Sequence, residues 1–521
     1  MASTLRSAAV RCANGSKTSF TARASATSRR YLSISSRPSP QPFRAPNPRN
    51  AIKLQPSIFN NFPTRQFSTV ANDADQKAIA LEIPVFQFKD ILPHGELPPT
   101  RNIKVNIDGQ PFIFDNVFLR DSCTCSTCVD PSTQQKLFTT SDIPTEIYPR
   151  RARVSEGNLK IEWSHRLPKS AVEESLKNDF HWSYYGGEFL KNHATPISSV
   201  KSNMSDFRRI YWDKKIMEKE VFWIEYEDYM KNELELAKAL RHLSFYGLIF
   251  IRNVPDGREV DQVPDLAERI GNLKKTFYGD TWTVKSIPKS KNIAYTSLDL
   301  GLHMDLLYFE SPPGLQFLHC VENTVTGGES YFADAMRAAF MIQATSQQVF
   351  NTLTQFPVNF HYHNDAKHYR FSRPTIVMKS PSENYHPQLG IDHINWAPPF
   401  QAPFTMDHNG AMVSKSPQWR TFLKGMNQLN EQFENPANQY EYLLKEGDCV
   451  VFFNRRVLHA RRGFDAESGK RRLTGGYVDI DAFESACRVL AERYPDHGRQ
   501  DTTGFEYLTE HAKQFGYTQW S

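Results

Sequence analysis

Gly447-Asp448-Cys449-Val450-Val451-Phe452-Phe453-Asn454-Arg455-Arg456-Val457-Leu458-His459 reads as a turn, an apolar strand and a histidine at its far end. A short apolar run bounded by turn residues is the pattern of a buried strand. Working outward, Gly247-Leu248-Ile249-Phe250-Ile251 is a second such strand, ended by Val254-Pro255. A helix is expected before it, from about Glu233 to Leu243, with Leu234, Ala237, Leu240 and Arg241 at helical spacing. From there to about residue 482 many short strands are broken by Gly and Pro turns, with a few helices such as Pro417 to Gln432. That pattern predicts a mainly β domain with helices, a jelly roll or double-stranded β-helix.

His459 gains meaning from Leu302-His303-Met304-Asp305. On a strand, residues i and i+2 point to the same side. His303 and Asp305 can therefore offer an imidazole and a carboxylate to one ion, and His459 is the candidate third ligand. Two His and one carboxylate on one face leave open positions on an octahedral metal, the facial triad of non-haem Fe(II) oxygenases. Among 16 histidines a lone His-x-Asp is weak. Its context adds weight: Arg471 and Arg472 follow His459, and a guanidinium one strand beyond that His can pair with the far carboxylate of 2-oxoglutarate.

These residues resemble the gamma-butyrobetaine dioxygenase and trimethyllysine dioxygenase family, within the taurine-dioxygenase-like group. The resemblance covers roughly residues 84–490. It is carried by Phe118-Leu119-Arg120-Asp121-Ser122-Cys123, Phe277-Tyr278-Gly279-Asp280-Thr281-Trp282, Asn292-Ile293-Ala294-Tyr295-Thr296, His303-Met304-Asp305, Pro312 to Cys320, Thr326 to Ser330, Asn454 to Arg462 and Arg471 to Asp479. It implies iron on His303, Asp305 and His459. It places 2-oxoglutarate on Arg471, six residues before Tyr477, and on the Ser330 hydroxyl. It further implies O2 as co-substrate, succinate and CO2 as products, and activity supported by ascorbate.

A trimethylammonium group cannot donate hydrogen bonds and is best held by ring faces, at about 0.5–2 kcal/mol each. Tyr278, Trp282, Tyr295 and Tyr477 match the ring positions of the butyrobetaine enzyme. Leu306 stands where that enzyme often has a ring, and Tyr308 is its possible replacement. The Pro-rich end of Ile394-Asn395-Trp396-Ala397-Pro398-Pro399 departs from the family's carboxylate-contacting stretch. The resemblance therefore points first to gamma-butyrobetaine hydroxylation in carnitine biosynthesis, and second to the trimethyllysine reaction. A silent quaternary-ammonium binding protein is the rival of another class, and the complete triad argues against it.

Upstream, Ile83-Pro84-Val85-Phe86, Ile103-Lys104-Val105 and Phe112-Ile113-Phe114 read as strands of a small β-rich unit. It contains Cys123-x-Cys125-x2-Cys128, a thiolate cluster that needs one more ligand to enclose a structural zinc. The family resemblance assigns that ligand to His181, with His165 as the rival, and implies that the module helps build a homodimer. The expected division is 1–67 transit peptide and linker, 80–198 zinc-binding β domain, 199–230 connector, 231–490 dioxygenase domain and 491–521 tail. A polar insertion runs from Arg166 to Asn178.

Charge separates the ends of the chain. Residues 1–72 hold nine Arg, two Lys and no acid, and are rich in Ser, Thr and Ala. That is the composition of an organelle import signal. Arg65-Gln66-Phe67-Ser68 resembles a mitochondrial processing site. Removal of 1–67 lowers the formal charge from +5 to about −6, which argues against a nucleic-acid partner. No apolar run reaches the roughly 18 residues of a membrane span. The expectation is a matrix enzyme.

Overall fold

The computed structural model describes residues 79–80, 100–155, 157–167, 180–195, 209–285, 298–379 and 390–494. All lie in the compact unit Val70–Ser521. Ile83–Phe86, the import signal, most of the Arg166–Asn178 insertion, Tyr295 and the far tail fall outside the described residues.

The N-terminal part is built from β1 (Asn102–Ile107), β2 (Gln110–Asp115), α1 (Asn116–Asp121), β3 (Pro149–Ser155), β4 (Asn158–Trp163) and β5 (Trp182–Gly186). β1 and β2 form an antiparallel hairpin, and β3-β4-β5 an antiparallel sheet. Alternate residues Ile103 and Val105 turn inward onto Leu119, Leu159, Ile161, Trp163 and Tyr185 in a core of their own. Asp115 caps α1 by accepting from the Val117 and Phe118 amides. The cap sets the direction of the helix, and the three cysteines follow directly after it.

The larger part contains β6 (Phe222–Glu225), α2 (Glu233–Tyr246), β7 (Leu248–Arg252), β8 (Thr281–Lys285), β9 (Leu300–His303), β10 (Leu315–Asn323) and β11 (Ser330–Asp334). Then come α3 (Ala335–Thr345), α4 (Gln347–Gln355), β12 (Pro357–Asn364), β13 (Lys367–Pro374), β14 (Ile376–Met378), β15 (Ile391–Ile394) and α5 (Trp419–Glu434). Last are β16 (Gln439–Tyr442), β17 (Cys449–Phe453), β18 (Val457–Arg461), β19 (Arg471–Val478) and α6 (Ile480–Arg493). Six strands join in the order β6-β7-β17-β10-β19-β8, and four in the order β9-β18-β11-β16. β9, β10 and β11, and again β16, β17, β18 and β19, alternate between the two sheets, which is the expected double-stranded β-helix.

Period-2 alternation sorts the side chains. Leu458 and Ala460 of β18 face outward, into a cluster with Met336, Phe340, Leu353 and Phe422 of the helices. Val457 joins the inner core with Phe332, Cys320, Phe452 and Leu473. His459 and Arg461 share its parity and so point inward as well. The residues of chemical interest on this strand therefore lie between the sheets.

α2 runs three residues further than expected, to Tyr246, and ends at Gly247 with φ 78°, a left-handed position that suits glycine. Its buried stripe is Leu236, Leu240 and Leu243, with Leu234 and Ala237 only half-buried. Of the expected Leu234, Ala237, Leu240 and Arg241 only Leu240 is buried, so the packed face is turned toward Leu236, Ala239 and Leu243. α5 spans Trp419–Glu434, the expected Pro417–Gln432 interval shifted by two residues. Ile210, Tyr211 and Trp212, in the expected connector, pack into the jelly roll's cores. No described helix is long and apolar enough to cross a membrane.

Candidate active site

β9 and β18 are antiparallel neighbours, and their register sets His303 directly opposite His459. The two imidazoles lie 4.2 Å apart by ring centroids. Asp305, just past the end of β9, places Oδ1 3.4 Å from His303 Nε2 and Oδ2 3.8 Å from His459 Nε2. The three donors all lie within 4.8 Å of one another, close enough to share one ion. The Nδ1–H of His303 donates to the Gly301 carbonyl at 2.8 Å, which leaves its Nε2 lone pair for a metal.

Electrostatics favour the ligand forms. Burial pushes the Asp305 carboxyl up, but the His303 and His459 rings beside it and the Tyr477 hydroxyl outweigh it. Together they hold the acid well below the usual carboxylate range. Burial and the neighbouring His303 lower His459 to about 3, so it is a neutral imidazole at neutral pH. The residues thus fit a divalent transition-metal ion with open positions.

Asn454 fixes the backbone of Asp305. Its Oδ1 accepts from the Asp305 amide at 2.8 Å, and its Nδ2 donates to the Asp305 and Pro313 carbonyls at 3.1 and 3.2 Å. The next residue, Leu306, is held at φ 60°, a left-handed backbone that costs a non-glycine residue roughly 1–2 kcal/mol. Its side chain is buried, so packing pins that bend. The sequence reading did not assign Asn454 a role, although it lies in the quoted motif.

Three of the four expected rings, Tyr278, Trp282 and Tyr477, converge beside this cluster; Tyr295 lies outside the described residues. Trp282 stacks on Tyr477 at 4.1 Å, and Tyr278 lies 6.5 Å from Trp282. Gly475 makes room: a Cβ there would stand 2.5 Å from Trp282 Cζ2. Tyr308 is buried and joins Phe277, Tyr362 and Phe400 within 5.3–6.3 Å, so the ring absent at Leu306 has a neighbour two residues on. Tyr362 and Tyr369 come from the β12–β13 hairpin, which no local motif could have linked to the site.

Arg471 is buried at the start of β19, its guanidinium 5.7 Å from the Phe464 ring. Its Nε has no hydrogen-bond partner, and no acidic side chain among the described residues pairs with it. Burial and Arg461 nearby lower its pKa to about 10. An inward guanidinium without a protein counter-ion fits the distal carboxylate of 2-oxoglutarate. Arg472 points the other way and donates to the Arg258 carbonyl at 3.3 Å, which separates the two candidates. Ser330, buried on β11, is the register partner of Arg461, on the same inner face.

In the N-terminal part, His181 Nε2 stands 3.4, 3.7 and 3.5 Å from the sulfurs of Cys123, Cys125 and Cys128. A tetrahedral zinc with Zn–S of about 2.3 Å and Zn–N of about 2.0–2.1 Å sets S and N about 3.5 Å apart. The spacing therefore fits that ion. Arg120, fully buried, donates from Nη1 to Cys128 Sγ at 3.2 Å and offsets thiolate charge. His165 bonds instead to Ser164 and packs on Tyr148, away from the thiols.

Residues 214–477 match the family described as taurine catabolism dioxygenase TauD, TfdA family. The chain belongs to that family. Residues 99–170 match the gamma-butyrobetaine hydroxylase-like N-terminal family. The chain is 39% identical to dioxygenase str8 of Strobilurus tenacellus, over 72% of this chain and 84% of the other. It is 29% identical to a trimethyllysine dioxygenase of Meyerozyma guilliermondii, over 72% and 90% of the two chains. It is also 29% identical to the gamma-butyrobetaine dioxygenase of Pseudomonas sp. strain AK-1, over 74% and 92%. As a TauD, TfdA family member, the protein is a dioxygenase that uses iron and 2-oxoglutarate. Its cluster of three cysteines and one histidine is compatible with zinc.

Proposed function

We propose that this dioxygenase hydroxylates gamma-butyrobetaine to L-carnitine, with 2-oxoglutarate consumed to succinate and CO2. The observation that carries the reading is the ring wall beginning at the metal site: Tyr477 bonds to Asp305 and stacks on Trp282. Such faces attract a quaternary ammonium and offer it no competing acceptor to satisfy. His303, Asp305 and His459 would hold iron, which with 2-oxoglutarate supplies O2 activation. Arg471 and Ser330 would orient 2-oxoglutarate, Tyr278, Trp282, Tyr295 and Tyr477 the trimethylammonium group, and Cys123, Cys125, Cys128 and His181 a structural zinc. The buried surroundings exclude water, and the cage aims one C–H bond at the metal. We also propose import into the mitochondrial matrix, from the basic, acid-free first 72 residues, a homodimer, and support of activity by ascorbate.

The test is anaerobic reconstitution with Fe(II), then aerobic incubation with 2-oxoglutarate and ascorbate. Gamma-butyrobetaine and trimethyllysine are offered separately, and succinate and hydroxylated product are read by mass. Stoichiometric product from gamma-butyrobetaine is expected. Product from trimethyllysine alone would move the assignment to the earlier step of the same pathway. No succinate from folded, iron-loaded protein would favour the silent binding protein. His459→Ala should abolish product and uncoupled succinate alike.

A further inference from the structure

Three buried arginines near the site differ in how they are satisfied. Arg456 is a structural guanidinium. Its Nε and Nη2 bind Asp334 at 3.1 and 2.8 Å, and Nη1 and Nη2 donate to the Phe245 and Ile210 carbonyls at 2.6 and 2.5 Å. Arg373 and Arg455 have nothing comparable, although each is only 9% exposed. Arg455 donates to Asn395 Oδ1 at 2.6 Å, and its Nε has no partner. Arg373 uses Nη2 alone, on the Phe309 and Glu310 carbonyls, and its Nε is also unpartnered. A guanidinium carries five N–H donors, so most of each fork is left over.

The two groups belong to one patch. Asn395, which accepts from Arg455, donates to the Pro374 carbonyl at 2.7 Å, next to Arg373. Burial and the like charge of Arg373 lower Arg455 to about 9, and burial lowers Arg373 to about 10. His393 feels both and is neutral, lowered to about 4 chiefly by burial. Asp392, the acid whose charge Arg455 feels, is already engaged by His393 at 2.6 Å and Arg209 at 4.0 Å. Glu310 offers its carbonyl while the residue itself is exposed. The patch therefore holds uncompensated positive charge in a place where charge is expensive. It also adjoins the site from both sides. Asn454, before Arg455, clamps Asp305, and Phe309, whose carbonyl Arg373 holds, packs on Phe277 and Tyr308 of the ring cluster.

We propose that Arg373 and Arg455 together receive the carboxylate of the substrate, so that the enzyme selects a betaine with an anionic end. This rests on the betaine reading above and adds its second recognition element. It also disfavours a substrate bearing an ammonium beside its carboxylate, as trimethyllysine does, because two guanidiniums repel that charge.

Calorimetry under argon tests it, on the full chain loaded with Fe(II) and saturated with 2-oxoglutarate. The probes are gamma-butyrobetaine, its methyl ester and sodium butyrate. The expected result is at least about tenfold tighter binding of the acid than of the ester, a preference lost in Arg455→Gln and in Arg373→Gln. Equal binding of acid and ester by the unaltered protein overturns the proposal without any variant. A preference that survives in both folded variants overturns it too, since the carboxylate then lies elsewhere. Butyrate that binds alongside bound betaine also overturns it, because the pair then serves a separate acid. If neither betaine nor ester binds, but butyrate does and Arg455→Gln removes it, the pair stands as a carboxylate site and the trimethylammonium reading falls.

Discussion

The hydroxyl of Tyr477 donates to Oδ2 of Asp305 at 2.7 Å, joining a ring of the substrate wall to the carboxylate of the proposed iron triad. Burial and the Asp305 charge push the phenol's pKa well up, so it stays a donor. Tyr477→Phe keeps the ring and removes the bond. Outer partners of metal ligands are worth about 10–100-fold in metal affinity or activity. We expect Mn(II) or Fe(II) affinity to drop by roughly tenfold at pH 7 on that basis. An anaerobic metal titration showing unchanged affinity would mean that the hydrogen bond does not support the ligand.

Gly475 is expected to act through Trp282. A methyl group 2.5 Å from the indole must push it off Tyr477. Gly475→Ala should raise KM for the betaine by about tenfold or more, the worth of one desolvated ring contact. Uncoupled 2-oxoglutarate decay should persist, because Arg471 is remote from that contact along β19. Loss of both activities together would place the damage in the strand rather than in the cage.

For the thiolate cluster, the purified protein should contain one zinc per chain, and His181→Ala should lose most of it. His165→Ala should retain it, since that imidazole bonds to Ser164. Elemental analysis and melting temperature read the two variants. Equal zinc in both would remove His181 from the ligand set.

Acid lability follows from His319, fully buried with neither ring nitrogen partnered. Burial lowers it to about 4, against 6.5 for the ordinary group, despite the opposing charges of Asp261 and Asp256. The unfolded chain therefore binds a proton that the folded chain refuses between those values. The stability contributed is fully present above pH 6.5 and is lost as pH falls toward 4, by roughly 3 kcal/mol at most from the size of the shift. Urea unfolding at pH 7 and pH 5 should show this fall, and His319→Phe should flatten it. A variant as acid-sensitive as the parent would point to other groups, of which His242, also lowered to about 4 by burial, is the next.

Periodicity made much of the site legible. His303 and Asp305 at i and i+2, His459 behind an apolar strand, and three cysteines within six positions each carry their geometry in the spacing. What spacing does not carry is partnership across the fold. Nothing local links Asn454 to Asp305, Tyr362 to Tyr308, or Arg373 to Arg455: the first pair meets where the turn before β18 packs on the segment after β9, and Tyr362 and Arg373 come from the separate β12–β13 hairpin. The choices between Arg471 and Arg472, and between His181 and His165, were likewise matters of side-chain direction.

The Arg456–Asp334 pair sets a limit on dissecting the chain. Both side chains are fully buried, and Arg456 also grips the carbonyls of Ile210 and Phe245, while the Trp212 amide donates to Asp334 at 3.2 Å. A fragment beginning at residue 231 would lack Ile210 and Trp212, leaving an open groove over the inner core with an ion pair at its floor. The smallest portion able to fold by itself should therefore start before Arg209, inside what the sequence alone presents as a linker.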